Sequence, residues 1–126
     1  METGKIQSRQ LSVLIVDDCP MILKVEETLC SAVGYKVLVA NDAFEALAML
    51  GKWPVDFVLT DIEMPQMNGF QLAKKIRELY PETLVFGITS RLSSSVGTRN
   101  ANDDLEELLE KPLLPKTCQW LGQKIS

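Results

Sequence analysis

The side chains best suited to chemistry in this chain each follow a short apolar run of β type. Asp17-Asp18 ends one such run and Asp61 ends another, while Thr89 and Lys111 end two more. The carboxyl ends of parallel strands meet at one edge of a sheet, which is where ligands bind in open α/β folds. If the first and third strands are neighbours, three carboxylates would share a small pocket at this edge, which Thr89 and Lys111 also reach.

Carboxylates packed this closely repel one another unless a cation relieves them. Magnesium suits the task, because it prefers oxygen ligands and often uses one or two carboxylates together with phosphate oxygens. A carboxylate such as Asp61 can accept a phosphoryl group as an aspartyl phosphate. The cation, Lys111 and Thr89 would then offset charge on the phosphoryl oxygens. Simpler interpretations remain, in which Asp17-Asp18 only caps a helix and Lys111 is a solvated lysine.

Strand and helix signals alternate along the chain. Five strands are predicted, at residues 11–16, 35–40, 55–60, 83–88 and 108–109. Helices are predicted from Pro20 to Gly34, from Asn41 or Asp42 to about Leu50, from Asn68 to about Leu79, and from Pro115 onward. The alternation indicates βαβ units and a parallel sheet, and the fully apolar strands indicate helices on both of its faces.

Apolar residues at helical spacing predict the apolar face of each helix. From the first helix to the last they are Ile22, Val25, Leu29 and Val33; Phe44, Leu47, Met49 and Leu50; Leu72, Ile76 and Leu79; and Cys118, Leu121 and Ile125.

Composition narrows the class of protein. The 126 residues suggest a polar extension at residues 1–10 and one domain at residues 11–126. A net charge of −4 argues against direct nucleic-acid binding, and no apolar run is long enough to predict membrane insertion or a signal peptide. Three widely spaced cysteines are typical of reduced thiols in the cytoplasm. The absence of histidine excludes histidine-based catalysis and a phosphohistidine carried by this chain.

Taken together, the motifs resemble the receiver domain of response regulators in two-component signalling. The matching residues are Val16-Asp17-Asp18, Asp61-Ile62-Glu63-Met64-Pro65, Asn68-Gly69, Thr89-Ser90 and Lys111-Pro112. The resemblance covers about residues 11–125 and implies a flavodoxin-like, doubly wound (βα)5 fold of five parallel strands in the order 2-1-3-4-5.

The resemblance also implies a role for each site residue. Asp61 would be the phosphoacceptor, and Asp18, Asp61 and the backbone carbonyl of Glu63 would bind magnesium, or manganese, directly. Asp17 would act mainly through a metal-bound water. Thr89 and Lys111 would contact the phosphoryl group, and a cis Lys111-Pro112 bond is expected.

The implied function is a cytoplasmic phosphoacceptor switch and not a conventional enzyme. Its phosphoryl donor would be a sensor histidine kinase or a histidine phosphotransfer protein, and phosphorylation would change binding to a downstream protein of unknown identity. Two alternatives stay open: a magnesium-dependent phosphatase with Glu63 as acid/base, and a flavodoxin-like cofactor binder, against which the Asp17-Asp18 pair argues.

Two features depart from the receiver pattern. Leu108 stands where receivers usually carry an aromatic residue, and residues 91–105 are rich in serine, glycine and asparagine. We expect Leu108 to be buried with and without phosphorylation, so that it transmits no signal. Residues 91–105 would then carry the conformational response, with Arg91 as a charge-dependent contact to the phosphoryl group or Glu63.

Overall fold

The computed structural model of this protein describes residues 10–90 and 104–125. Its elements in chain order are β1 (Ser12–Val16), α1 (Pro20–Val33), β2 (Lys36–Ala40), α2 (Ala43–Leu50), β3 (Phe57–Asp61), α3 (Gly69–Leu79), β4 (Leu84–Thr89), β5 (Glu107–Glu110) and α4 (Pro115–Ile125). Most of the predicted extension, and residues 91–103 of the predicted switch segment, lie outside the described residues.

The strands form one parallel sheet in the order β2-β1-β3-β4-β5, which confirms the predicted fold and strand order. The central strand β3 lies between β1 and β4. In this register Val16 pairs with Thr60, and Asp61 pairs with Ile88. The residues that follow β1, end β3 and end β4 therefore meet at one edge of the sheet.

Each central strand is buried on both faces. Val13 and Ile15 of β1 pack into a core layer with residues of α1 and α4, whereas Leu14 and Val16 pack into a second layer with α2 and α3. Successive side chains of a strand point to opposite faces, so an apolar run in β1 fills both layers. Among the described helices, none is long and apolar enough to cross a bilayer.

Helix ends are set by local side chains, largely where the sequence predicted them. Asp42 caps α2 by accepting a hydrogen bond from the amide of Glu45. Asn68 and Gln71 form a reciprocal capping box at the start of α3. Gly34 ends α1 with a φ of 111°, a left-handed conformation that glycine adopts without steric cost.

The predicted apolar face of α1 was partly wrong. Ile22 and Val25 are 39% and 56% exposed, whereas Leu23, Glu26 and Cys30 are the buried residues of this helix. The stripe that faces the sheet contains a carboxyl group. Apolar spacing alone therefore selects a neighbouring stripe of α1 as the buried face. Phe44 of α2 and Leu79 of α3 were also predicted on apolar faces and are exposed.

Candidate functional site

Three carboxylates meet at the carboxyl edge of the sheet, as the sequence predicted. Asp17 and Asp18 follow β1, Asp61 ends β3, and one carboxylate oxygen from each lies within 4.8 Å of the others. Asp17 and Asp61 are buried, while Asp18 is exposed at the rim. The adjacency of β1 and β3 creates this cluster, because it brings together side chains more than forty positions apart.

Lys111 supplies the positive charge inside the cluster. Its Nζ lies 3.1 Å from Asp17 Oδ2 and 3.2 Å from Asp61 Oδ1, and the side chain is only 19% exposed. The backbone amide of Lys111 donates to the carbonyl of Thr89 at 2.8 Å, which ties the lysine to the end of β4. The peptide bond to Pro112 is cis, as expected.

Burial and mutual charge alter the acidity of these groups. Burial, followed by the negative charge of Asp17, raises the pKa of Asp61 above its ordinary value, although Lys111 and the backbone amide of Glu63 oppose the shift. Burial alone would lower the pKa of Lys111, but its hydrogen bond to Asp17 and the charges of both aspartates outweigh that effect and raise the pKa. The ammonium therefore stays charged between the two carboxylates.

The loop after β3 passes very close to Asp61. The amide of Gly69 donates to the carbonyl of Ile62 at 2.9 Å. A Cβ atom at Gly69 would lie 2.5 Å from the Asp61 carbonyl oxygen and 2.9 Å from Ile62 Cα, closer than non-bonded atoms approach. Only glycine fits at this position, and its packing holds the start of α3 against the end of β3.

The remaining predicted residues occupy the same end of the sheet. Thr89 is fully buried at the end of β4, next to β3, and Glu63 is exposed in the loop after Asp61. Leu108 is buried, as predicted, and its side chain packs over Gly87, where an added Cβ would lie 3.1 Å from Leu108 Cδ1. Its burial in a phosphorylated state stays a prediction.

Sequence reasoning missed Glu26. This carboxyl group is 2% exposed, and within the described part of the chain neither of its oxygens has a hydrogen-bond partner. Burial, with a further contribution from the charge of Asp17, raises its pKa to about 8. Glu26 follows Leu23 by three positions and precedes Cys30 by four, but this spacing identifies Glu26 as buried only once the structure shows which face of α1 meets the sheet.

Residues 13–119 of this chain match the family model described as the response regulator receiver domain. The chain belongs to this family. A family match over nearly the whole described fold favours a receiver over the phosphatase and the cofactor binder that the sequence left open.

Relatives of this receiver occur both within sensor kinases and as smaller regulators. It is 32% identical to the sensor histidine kinase RcsC of Escherichia coli K12 over 103 residues, which are 82% of this chain and 11% of RcsC. It is 31% identical to the two-component response regulator ARR22 of Arabidopsis thaliana over 113 residues, which are 86% of this chain and 79% of ARR22. The receiver thus spans about a tenth of the length of the sensor kinase.

The same similarity holds for solved structures. The chemotaxis response regulator CheY4 of Vibrio cholerae superposes on this receiver with a TM-score of 0.81 at 30% identity, covering 94% of this chain and all of CheY4. The receiver is therefore a phosphoacceptor domain of two-component signalling. Its acidic pocket offers the hard oxygen donors that magnesium prefers, so the residues present fit that ion.

Proposed function

We propose that Asp61 accepts a phosphoryl group from a phosphohistidine donor, and that the resulting aspartyl phosphate switches binding to a downstream protein. The observation that carries this assignment is the position of Lys111. Its ammonium lies within hydrogen-bond distance of Asp17 and Asp61 together, at the mouth of the central strand. A cation fixed there can pair with Asp61 at rest and with a phosphoryl oxygen after transfer.

Among the clustered carboxylates, Asp61 is the best candidate for the nucleophile. Both oxygens of Asp17 are engaged, Oδ1 by the amide of Cys19 at 3.0 Å and Oδ2 by Lys111. Asp18 lies at the exposed rim. Asp61 is also bonded to Lys111, but it ends the central strand and occupies the position that the receiver pattern assigns to the phosphoacceptor.

Magnesium would be held by Asp18, Asp61 and the backbone carbonyl of Glu63, with Asp17 acting through a bound water; manganese has the same ligand preference. When bound, the ion neutralises charge that develops on the phosphoryl oxygens. The three carboxylates support this assignment, because the ammonium of Lys111 pairs with Asp17 and Asp61 and offsets only part of their combined charge.

For the transfer, the protein has to position the reacting groups and stabilise the negative charge on the phosphoryl oxygens. An Asp61 oxygen forms a bond to phosphorus while the bond from phosphorus to the donor's imidazole nitrogen breaks, and the electron pair stays on that nitrogen. Lys111 and the Thr89 hydroxyl donate to phosphoryl oxygens. Hydrolysis by water would return Asp61 to a free carboxylate, so we regard the domain as a switch with self-limited chemistry and not as a conventional enzyme.

These 126 residues contain no histidine, so the phosphohistidine donor lies outside them. We assign this role to a sensor histidine kinase or a histidine phosphotransfer protein, which the similarity to a sensor kinase supports. The cytoplasm is the compartment that we propose, in keeping with the three widely spaced cysteines.

The test is the intact mass of the protein after incubation with acetyl phosphate and magnesium. We expect one added phosphoryl group that is lost over time and that does not form when EDTA replaces magnesium. Asp61→Asn should abolish the addition. Asp56→Asn is the matched control, because Asp56 accepts a hydrogen bond from the amide of Ser12, outside the acidic cluster. Labelling that survives Asp61→Asn would overturn the assignment.

A further inference from the structure

Two thiols face each other in the core between the first and last helices. Cys30 of α1 and Cys118 of α4 are both fully buried, and their Sγ atoms lie 3.9 Å apart. They are 88 positions apart in the sequence, so the packing of α4 against α1 alone brings them together. The third cysteine, Cys19, is exposed at the start of α1.

The pair is arranged as a nucleophile and a resolving thiol. The two sulfurs are within S–H···S contact, in which either thiol could be the donor. This contact lowers the pKa of the Cys118 thiol, whereas the same contact and burial raise the pKa of the Cys30 thiol. The Tyr35 hydroxyl donates to the backbone carbonyl of Cys118 and so fixes the first turn of α4. A thiolate with a second thiol in contact is the arrangement in which oxidation ends as a disulfide.

From this geometry we infer that Cys30 and Cys118 form a reversible intramolecular disulfide under oxidation by a hydroperoxide, so that the receiver carries a redox modification site separate from its acidic pocket. The Cys118 thiolate attacks one oxygen of hydrogen peroxide. The O–O bond breaks, hydroxide leaves and combines with the thiol proton as water, and Cys118 becomes a sulfenic acid. Cys30 sulfur then displaces the sulfenic hydroxyl, which leaves with the Cys30 proton as a second water.

A hydroperoxide suits this site because it is small. Both thiols are shielded, so a bulky disulfide oxidant would need a wide opening, whereas hydrogen peroxide needs only a local opening of α4. A disulfide bond is about 2.0 Å long. The sulfurs must therefore approach by about 2 Å, a movement that side-chain rotation and a small shift of α4 can supply.

The bridge would tie α1 to α4. Its closed loop contains most of the chain, and cross-links over long loops restrict the unfolded state most. We expect the oxidised protein to melt several degrees higher than the reduced protein, roughly 5–15 °C if the strain of closure is small. Treatment with dithiothreitol should restore the original melting temperature.

The experiment uses the Cys19→Ser protein, which removes the exposed thiol. The folded, reduced protein is treated with hydrogen peroxide, denatured, alkylated and weighed, then digested without reduction. We expect the loss of two hydrogen atoms, no alkylation, and one linked peptide pair that contains Cys30 and Cys118. Adding Cys118→Ala provides the matched control, in which no intramolecular bridge forms.

Oxidation in urea distinguishes a bridge that the folded structure favours from one that forms by chance encounter of the thiols. In urea the thiols must find each other across a long loop, so the intramolecular bridge should make up a smaller share of the oxidised cysteine than in buffer. Two results would overturn the inference: alkylatable or over-oxidised cysteines at positions 30 and 118 in the folded protein, or a bridge that makes up a larger share of the oxidised cysteine in urea than in buffer.

Discussion

At the scale of single residues, the site depends on a balance of charge that Lys111 maintains. Its ammonium lies between Asp17 and Asp61, both of which are almost fully buried. Removing one member of such a group leaves the remaining charges buried and unpaired. The resulting loss of stability is larger than the net stabilisation that the complete group provides. A divalent ion in the pocket would compete with Lys111 for the same carboxylates.

Lys111→Ala should therefore lower the stability of the metal-free protein and leave its magnesium affinity unchanged or higher. We expect the free energy of unfolding to fall by about 1–3 kcal/mol, less than for a fully buried pair because the side chain is 19% exposed. Urea unfolding with and without magnesium measures both effects. A large loss of magnesium affinity would argue against the role assigned to Lys111.

Glu26 makes stability depend on pH. Its pKa is raised from 4.5 to about 8 in the folded protein, so folding takes up a proton between these two pH values. When a carboxyl group is protonated only in the folded state, its contribution to the free energy of unfolding falls as pH rises. This contribution is lost completely above the folded pKa. The unsubstituted protein should therefore become less stable from about pH 4.5 to pH 8.

Glu26→Gln removes this ionisation while keeping the shape of the side chain. At pH 9 we expect the variant to be more stable than the unsubstituted protein by on the order of 3–5 kcal/mol, with little difference at pH 4. Glu27→Gln is the control, because this neighbouring side chain faces solvent and pairs with Lys24. Parallel pH profiles for the Glu26→Gln and unsubstituted proteins would contradict the prediction.

At the scale of elements, the first turns of α1 join the acidic pocket to an exposed apolar surface. Met21, Ile22 and Val25 are 79%, 39% and 56% exposed, and α1 begins two residues after Asp18. These three residues, the α1 patch, begin three positions after Asp18, near the edge of the sheet where we propose that the phosphohistidine docks. Exposed apolar residues next to a reaction site are suited to holding the donor protein during transfer.

Val25→Glu should slow transfer from a phosphohistidine protein while leaving labelling by acetyl phosphate unchanged. We expect about a tenfold loss, since the substitution places a charge within the buried contact. Leu79→Glu is the matched control, because Leu79 is similarly exposed at 59% but ends α3, a helix whose opposite end, at Gly69, contacts Asp61. Equal slowing with both donors would mean that the α1 patch does not recognise the donor.

At the scale of the whole molecule, the carboxyl edge of the sheet holds a cluster of like charges, two of them buried. The strands are filled by apolar side chains on both faces, but their ends gather three carboxylates around one lysine. Anything that binds the folded state and not the unfolded chain stabilises the fold by mass action. Magnesium should therefore raise the melting temperature of the entire domain.

Asp18→Asn should remove most of that magnesium effect and leave the metal-free protein at least as stable as before, since Asp18 is exposed and its charge adds repulsion. At a concentration about 100-fold above Kd, magnesium should stabilise the unsubstituted protein by about 2.7 kcal/mol. Glu63→Gln should keep the response, because only its backbone carbonyl is assigned to the metal. Thermal unfolding against magnesium concentration measures both. A full magnesium response in Asp18→Asn would exclude that carboxylate as a ligand.

The sequence by itself determined the order of strands and helices and the pocket residues. Apolar β-branched runs specify buried strands, and breakers such as Gly34 and caps such as Asn68 specify helix ends, because these effects act over a few residues. Once alternation predicts a parallel sheet, the residues at the strand ends must share one edge. That Asp17, Asp61 and Lys111 lie together also depends on the strand order, which the receiver resemblance implied and the structure confirms.

Only the tertiary structure decided which face of α1 is buried, and with it the two features that sequence reasoning missed. Glu26 looks solvent-exposed by residue type, yet the packing of α1 on the sheet buries it. Cys30 and Cys118 look like unrelated thiols until α4 packs on α1. Both outcomes depend on contacts between distant segments, and the rotation of a helix about its own axis is fixed by the summed packing of its neighbours and not by its own spacing.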